Sequence, residues 1–207
     1  MRRAMAEAEV GDDVLDGDPT TARLEARVAE LLGCEAAMFF PSGIQANQTA
    51  VWLHAAPGTE LLLEANAHLV LYEVAGAAAL AGVQIRPVST PDGVLTAELA
   101  RSAWRPDSPH VPTIGVVAAE NTHNAAGGKV MPLEVWDDLT ALAHERATSV
   151  HLDGARLWHA AVALGCPPAR VCRDADSVMV SLSKGLGCPV GSCLAGSREL
   201  VGRAWAV

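Results

Sequence analysis

Ser149-Val150-His151-Leu152-Asp153-Gly154-Ala155-Arg156 reads as a strand that ends on charge and runs straight into a helix. The strand is Ser149 to Leu152, and the helix that follows is Ala155 to Leu164. The same alternation repeats outward in both directions. Upstream lie a helix over Leu133 to Glu145, a buried strand over Thr113 to Ala119, a helix over Thr96 to Trp104 and the β-rich run Val83 to Val88. Before them come an Ala-rich helix over Tyr72 to Leu80, a strand over Glu60 to Leu63, a helix over Ile44 to His54 and a strand over Ala36 to Phe40. Downstream, Ser177 to Leu182 and Gly191 to Ala195 are strand-like. Strands separated by helices imply βαβ units and a mostly parallel sheet. Apolar strands without clean alternation are those covered on both faces. The first long helix, Thr20 to Leu32, repeats Leu24, Val28, Leu31 and Leu32 at helical spacing. Asp18 is its expected N-cap, Pro19 fits its first turn and Gly33 marks its stop.

Composition agrees with an α/β domain. The 207 residues are half apolar and 19% charged, with 4% aromatics, and the mean hydropathy is +0.22. Such a chain can bury a sizeable core, which excludes disorder as its main state. A net charge of −9 and a pI near 5.2 leave no basic footprint for nucleic acid. The most apolar stretch, Leu69 to Val83, is broken by Glu73, so no membrane span is expected. Acidic residues interrupt the N-terminal segment, which is unlike a secretory signal. Five cysteines with no C-x-x-C pair suggest reduced thiols and a cytoplasmic protein, and no Cys/His spacing suggests a metal site. The chain opens on a helical pattern, and Arg203 to Val207 ends in one, so the sequence reads as a piece of something longer.

Several polar segments follow strands, where open α/β sheets bind ligands. Ser181-Leu182-Ser183-Lys184-Gly185-Leu186-Gly187 places one of only two lysines, Lys184, in a Gly-rich loop. There it is either a solvated lysine or a Schiff-base amine of depressed pKa. Asp153 either caps the next helix or holds a protonated ring nitrogen, with Arg156 beside it. Pro41-Ser42-Gly43-Ile44 joins a strand to a helix N-terminus, a backbone site for a phosphate. It is neither a P-loop nor a dinucleotide fingerprint. His68 with Glu73, and His123 within Glu120-Asn121-Thr122-His123-Asn124, offer a ring-stacking group or a general base. Together these give a phosphate site, a pyridine-nitrogen carboxylate, a Schiff-base lysine and a stacking histidine. Their order is that of a pyridoxal 5'-phosphate (PLP) enzyme of the aspartate-aminotransferase fold type.

On these residues the chain resembles the L-threonine aldolase family of PLP-dependent lyases. The resemblance runs over Val10 to Asp13, Phe40 to Gly43, His68, Tyr72-Glu73, Glu120 to Asn124, His151 to Arg156 and Ser183 to Ser192. It implies a PLP-dependent-transferase-like large domain over residues 1–207, incomplete at its N-terminus and without the small C-terminal domain. It implies Lys184 as the Schiff-base lysine and Asp153 as partner of the pyridine nitrogen, with His68 stacked on the ring. Ser42, Gly43 and Ile44 would then bind the phosphate, Arg156 the cofactor or the substrate carboxylate, and His123 would lie near the substrate hydroxyl. The family usually has Thr where this chain has Ile44, which keeps backbone contacts and removes a hydroxyl. The implied reaction cleaves a β-hydroxy-α-amino acid such as L-threonine or L-allo-threonine to glycine and an aldehyde, with His68 or His123 as base. The implied assembly is a homodimer or homotetramer. The alternatives are a non-catalytic PLP-domain fragment and another PLP-dependent β-eliminating lyase.

Overall fold

The computed structural model describes residues 1–106 and 108–207. Along the chain lie α1 (Arg2–Ala6), α2 (Pro19–Leu32), β1 (Ala36–Phe40), α3 (Gly43–His54), β2 (Glu60–Glu64), α4 (His68–Leu71), α5 (Gly76–Ala81), β3 (Gln84–Val88) and α6 (Ala97–Ala103). They are followed by β4 (Ile114–Glu120), α7 (Leu133–Glu145), β5 (Ser149–Gly154), α8 (Leu157–Leu164), α9 (Pro168–Val171), β6 (Ser177–Ser181), β7 (Ser192–Gly196) and α10 (Arg198–Ala204). The strands form one seven-stranded sheet in the order β1-β7-β6-β5-β4-β2-β3. Only β7 runs against its neighbours, pairing antiparallel with both β1 and β6. The segment from β6 to β7 is too short for a crossover helix, so β7 must turn back beside β6. No helix among the described residues is long and apolar enough to cross a membrane.

Both faces of the sheet are covered, and the period-two pleat shows how. Leu62, Val117, Val150, Leu152, Val178 and Val180 join the core beneath α2, α7 and α8. Their chain neighbours Leu61, Leu63, Val116 and Met179 face the opposite layer, where α3, α5 and α10 pack. On β5 the same rule sends His151 and Asp153 to the α3 side. The first long helix begins and ends as its sequence suggests. Asp18 Oδ1 accepts the Thr21 N–H at 2.7 Å, and Gly33 closes the helix at φ +68°, where a Cβ would be strained.

Two elements differ from expectation. The Ala-rich helix expected over Tyr72 to Leu80 begins only at Gly76, as α5, and a break with Val74 and Ala75 at φ +52° and +56° separates it from α4. The break turns Glu73 inward, where it is 3% exposed and bonded to Asn47, Gln48 and His68. Burying a carboxylate requires such partners, and a continuous helix would not have aimed it at them. The helix after β5 starts at Leu157 rather than Ala155. Asp153 Oδ1 accepts the Ala155 N–H at 3.0 Å, a local turn that delays the helix, so Asp153 is not its cap and Arg156 takes that position.

Candidate active site

The carboxyl ends of the parallel strands collect charge that the core cannot use. Glu64 ends β2, Glu120 ends β4 and Asp153 lies next to the end of β5. Glu120 and Asp153 are register partners on adjacent parallel strands. Asp153 is 1% exposed, and Glu73, Glu120 and Asn47 are buried around it. Asn47 Nδ2 donates to Asp153 Oδ2 at 2.9 Å and to Glu73 Oε1 at 2.8 Å. Gln48 Nε2 donates to Glu73 Oε2 at 2.6 Å. Burial, then the Glu120 charge, pushes the Asp153 carboxyl up to about 6. So crowded a carboxylate cluster favours a positive charge beside it. His68, Glu73 and Asp153 offer ligand-type atoms all within 4.8 Å of one another, a geometry that suits a positive centre.

Asp153 lies on a cavity of about 320 Å³, also lined by Ser42, Gly43, Ile44, His68 and Lys184. The start of the twelve-residue α3 also lines the cavity. Ser42 Oγ caps the Gln45 N–H, and the Ser42 carbonyl takes the Ala46 N–H. Among the described residues, no carbonyl of the turn accepts from Gly43 or Ile44. Their N–H groups, at the positive end of the helix, are free for an anion. Lys184 lines the same cavity from the loop that joins β6 to β7. Burial lowers its affinity for a proton, Asp153 opposes that effect and Arg156 adds to it. Gly191 ends this loop at φ +110°, and a Cβ there would lie 2.6 Å from the Phe39 ring. The loop is therefore held close against β1.

His68 forms one wall of the cavity. Its Nδ1 meets Glu73 Oε1 at 2.9 Å, and its backbone N–H donates to Glu120 Oε2 at 2.8 Å. The bond to Glu73 raises its pKa above the ordinary value against an opposing effect of burial. Arg156 lies near enough to depress Lys184 but does not line this cavity. His123, expected near the substrate hydroxyl, does not line this cavity. Its Nε2 meets Glu64 Oε2 at 2.9 Å, its Nδ1 accepts the Ala126 N–H, and its side chain is 2% exposed. It lines a different cavity, with Thr90, Asp92 and Lys129. The cause is the inward turn of Glu64 at the end of β2, which draws the ring away. Asn47 and Gln48, which bond the carboxylates, are not among the residues the sequence pointed to. The available signal was the presence of Asn47, Gln48 and Thr49 in mid-helix, flanked by Ala46 and Ala50, where solvent exposure would have been the ordinary reading.

Comparison with known proteins assigns the family. The family model for beta-eliminating lyases matches residues 1–207. The chain belongs to that family. This lyase-family chain is 43% identical to the probable low-specificity L-threonine aldolase 2 of Arabidopsis thaliana and 42% identical to the low specificity L-threonine aldolase of Escherichia coli K12. Each match covers 99% of this chain and 59% or 61% of the relative. The crystal structure of a putative L-allo-threonine aldolase from Listeria monocytogenes superposes with a TM-score of 0.83 at 28% identity, covering 99% of this chain and 57% of that one. The family member described here thus spans about three-fifths of the curated relatives it matches.

Proposed function

We propose that this chain carries the PLP site of an aldolase that cleaves L-threonine or L-allo-threonine to glycine and an aldehyde. The observation that carries the reading is one cavity lined by an anion-binding helix start, a lysine of lowered proton affinity and a buried carboxylate. The family's general dependence on PLP and the aldolase names of the relatives support it. The residues fit the cofactor. The Gly43 and Ile44 N–H groups suit its phosphate, and the Asp153 cluster suits a protonated ring nitrogen better than a neutral one.

When bound, PLP would supply the electron sink for the pair left by Cα–Cβ cleavage. Asp153 would hold the proton on the ring nitrogen, and Asn47 would keep its carboxylate ionised. Lys184, with a lowered proton affinity, presents an Nζ that can give up its proton and bind the cofactor carbonyl. His68 would cover the ring. With Nδ1 tied to Glu73, its Nε2 is the nitrogen left to accept the β-hydroxyl proton. Arg156 would bind a carboxylate. His123 would act at a distance, through Glu120, whose Oε2 lies 4.0 Å from its Nε2 and accepts the His68 N–H. Subunit pairing beside the cofactor is part of the proposal. Ile44, Trp52 and Leu80 are exposed next to the phosphate end.

The test is visible absorbance of the chain after PLP addition and gel filtration, with Lys184→Ala alongside. A retained band, reducible by borohydride and absent from the variant, supports the site. Its absence in the parent chain rejects it. Glycine and acetaldehyde from threonine then support the aldolase. A 2-oxo acid and ammonia would instead assign the β-elimination that the family's description names. A band without turnover would leave a cofactor-binding fragment.

A further inference from the structure

Beneath the site a chain of polar groups, buried except for half-buried His54, runs along the strands from their amino ends toward their carboxyl ends. His54 lines a cavity of about 430 Å³ at the amino edge of the strands, near Asp176 and Arg203. His54 Nε2 lies 2.8 Å from Ser177 Oγ, which lies 2.8 Å from His151 Nδ1. His151 Nε2 lies 3.0 Å from Asn47 Oδ1, and Asn47 Nδ2 reaches Asp153 and Glu73. Ser177, His151 and Asn47 are fully buried. The framework explains the path. His151 and Ser177 are register partners on β5 and β6, on the α3 side. Asn47 and His54 are seven residues apart on α3, two turns along one face.

The direction of each bond is set by the chemistry. Two carboxylate oxygens face Asn47 Nδ2, so that atom must be the donor and Oδ1 must accept. His151 Nε2 therefore carries a proton. Burial, with His54 nearby, holds His151 down to about 3, so the ring is neutral and Nδ1 is an acceptor. Ser177 must give its single hydroxyl proton to that Nδ1, and His54 Nε2–H must donate to Ser177. Burial likewise holds His54 down to about 4. Every donor in the chain points toward Asp153.

We propose that His54, Ser177 and His151 are positioning residues that lock Asn47 with its amide N–H groups on the Asp153 and Glu73 carboxylates. The proposal rests on the reading of Asp153 as the ring-nitrogen partner, and it extends that reading to the amino ends of the strands. Asp153 is faced by Glu73 and Glu120, with His68, Lys184 and Arg156 beyond. Asn47 is the neutral group that offsets the repulsion of its acidic neighbours. Reversal of its amide would aim an oxygen at both carboxylates and make ionised Asp153 harder to sustain.

The test uses ring-nitrogen NMR and a carbon NMR titration of Asp153 in the chain without cofactor, with Asp153→Asn to assign the signal. We expect His151 and His54 to be neutral Nε2–H tautomers. Ser177→Ala removes one buried hydroxyl. It should release His151 to a mixture of tautomers and raise the Asp153 midpoint by about one pH unit, the scale of one lost charge-assisted hydrogen bond. Ser177→Thr should restore both. A protonated Nδ1 on His151 in the parent chain would overturn the proposal. So would an Asp153 midpoint that Ser177→Ala leaves unmoved while only thermal stability falls. The cofactor reading is scored separately. Parent tautomers as expected, with no PLP band, would reject the cofactor and leave the clamp in place.

Discussion

Two cavities open near the carboxyl edge of the sheet, and each has a histidine bonded to a glutamate at 2.9 Å. In one, His68 is 24% exposed and shares its wall with Lys184, Asp153 and the start of α3. In the other, His123 is 2% exposed, and the nearby amine, Lys129, is already paired with Asp92 at 2.8 Å. The second cavity is the larger, at about 500 Å³ against 320 Å³. Size and a paired histidine therefore do not make the site. The smaller cavity brings together an accessible ring, an amine of reduced proton affinity and an anion-binding helix start. The larger one places charges that already neutralise each other.

The largest expected effect is at Lys184. Lys184→Ala should lower turnover by about 10⁴ or more, since it removes the group that binds the cofactor carbonyl. Lys129→Ala should leave turnover within a few-fold, and a comparable loss there would erase the distinction between the cavities. Asp153→Asn should cost on the order of 10²–10³ in kcat through the lost electrostatic partner. It should also stabilise the unloaded chain near pH 7. The sign follows from the raised pKa. The folded state holds the Asp153 proton more tightly than the unfolded chain does, so its contribution is greatest below pH 3.8 and is lost between there and about 6. Removing that ionisation should return on the order of 2–3 kcal/mol. An Asn variant that melts lower at pH 7 would refute the charge-crowding account.

His68 and His123 sharpen the comparison directly. His68→Phe should lower kcat about 10²-fold, within the range for a lost proton acceptor. If neutral His68 is the base, kcat/KM should rise with pH through a midpoint above the ordinary histidine value, because Glu73 stabilises the charged ring. Glu73→Gln should move that midpoint down, and an unmoved limb would assign the base elsewhere. His123→Gln should have the smallest kinetic effect, less than about tenfold, with a lower Tm. Its loss leaves buried Glu64 short of a partner, at about 1–3 kcal/mol or a few degrees per kcal/mol in a chain of this size. A hundredfold fall in kcat at unchanged Tm would instead place His123 at the substrate.

Much of this was legible before any coordinates. Strand and helix alternation around Ser149 to Arg156 implied the α/β sheet, and Lys184, Asp153, His68 and the Ser42-Gly43-Ile44 turn do converge on one cavity. Side-chain period and turn chemistry are local properties, so the sequence carries them directly. The break between α4 and α5 and the pairing of His123 with Glu64 were not legible. Each follows from a contact between residues far apart in the chain. Glu73 turns inward for Asn47 and Gln48, and Glu64 holds His123, 59 positions along the chain. The clamp through His151, Ser177 and His54 belongs to the same class. Its residue types were present in the sequence. Their burial, their register across β5 and β6 and the face of α3 that meets them arise when helix packs on sheet, and only there do a neutral amide and two neutral imidazoles acquire a direction.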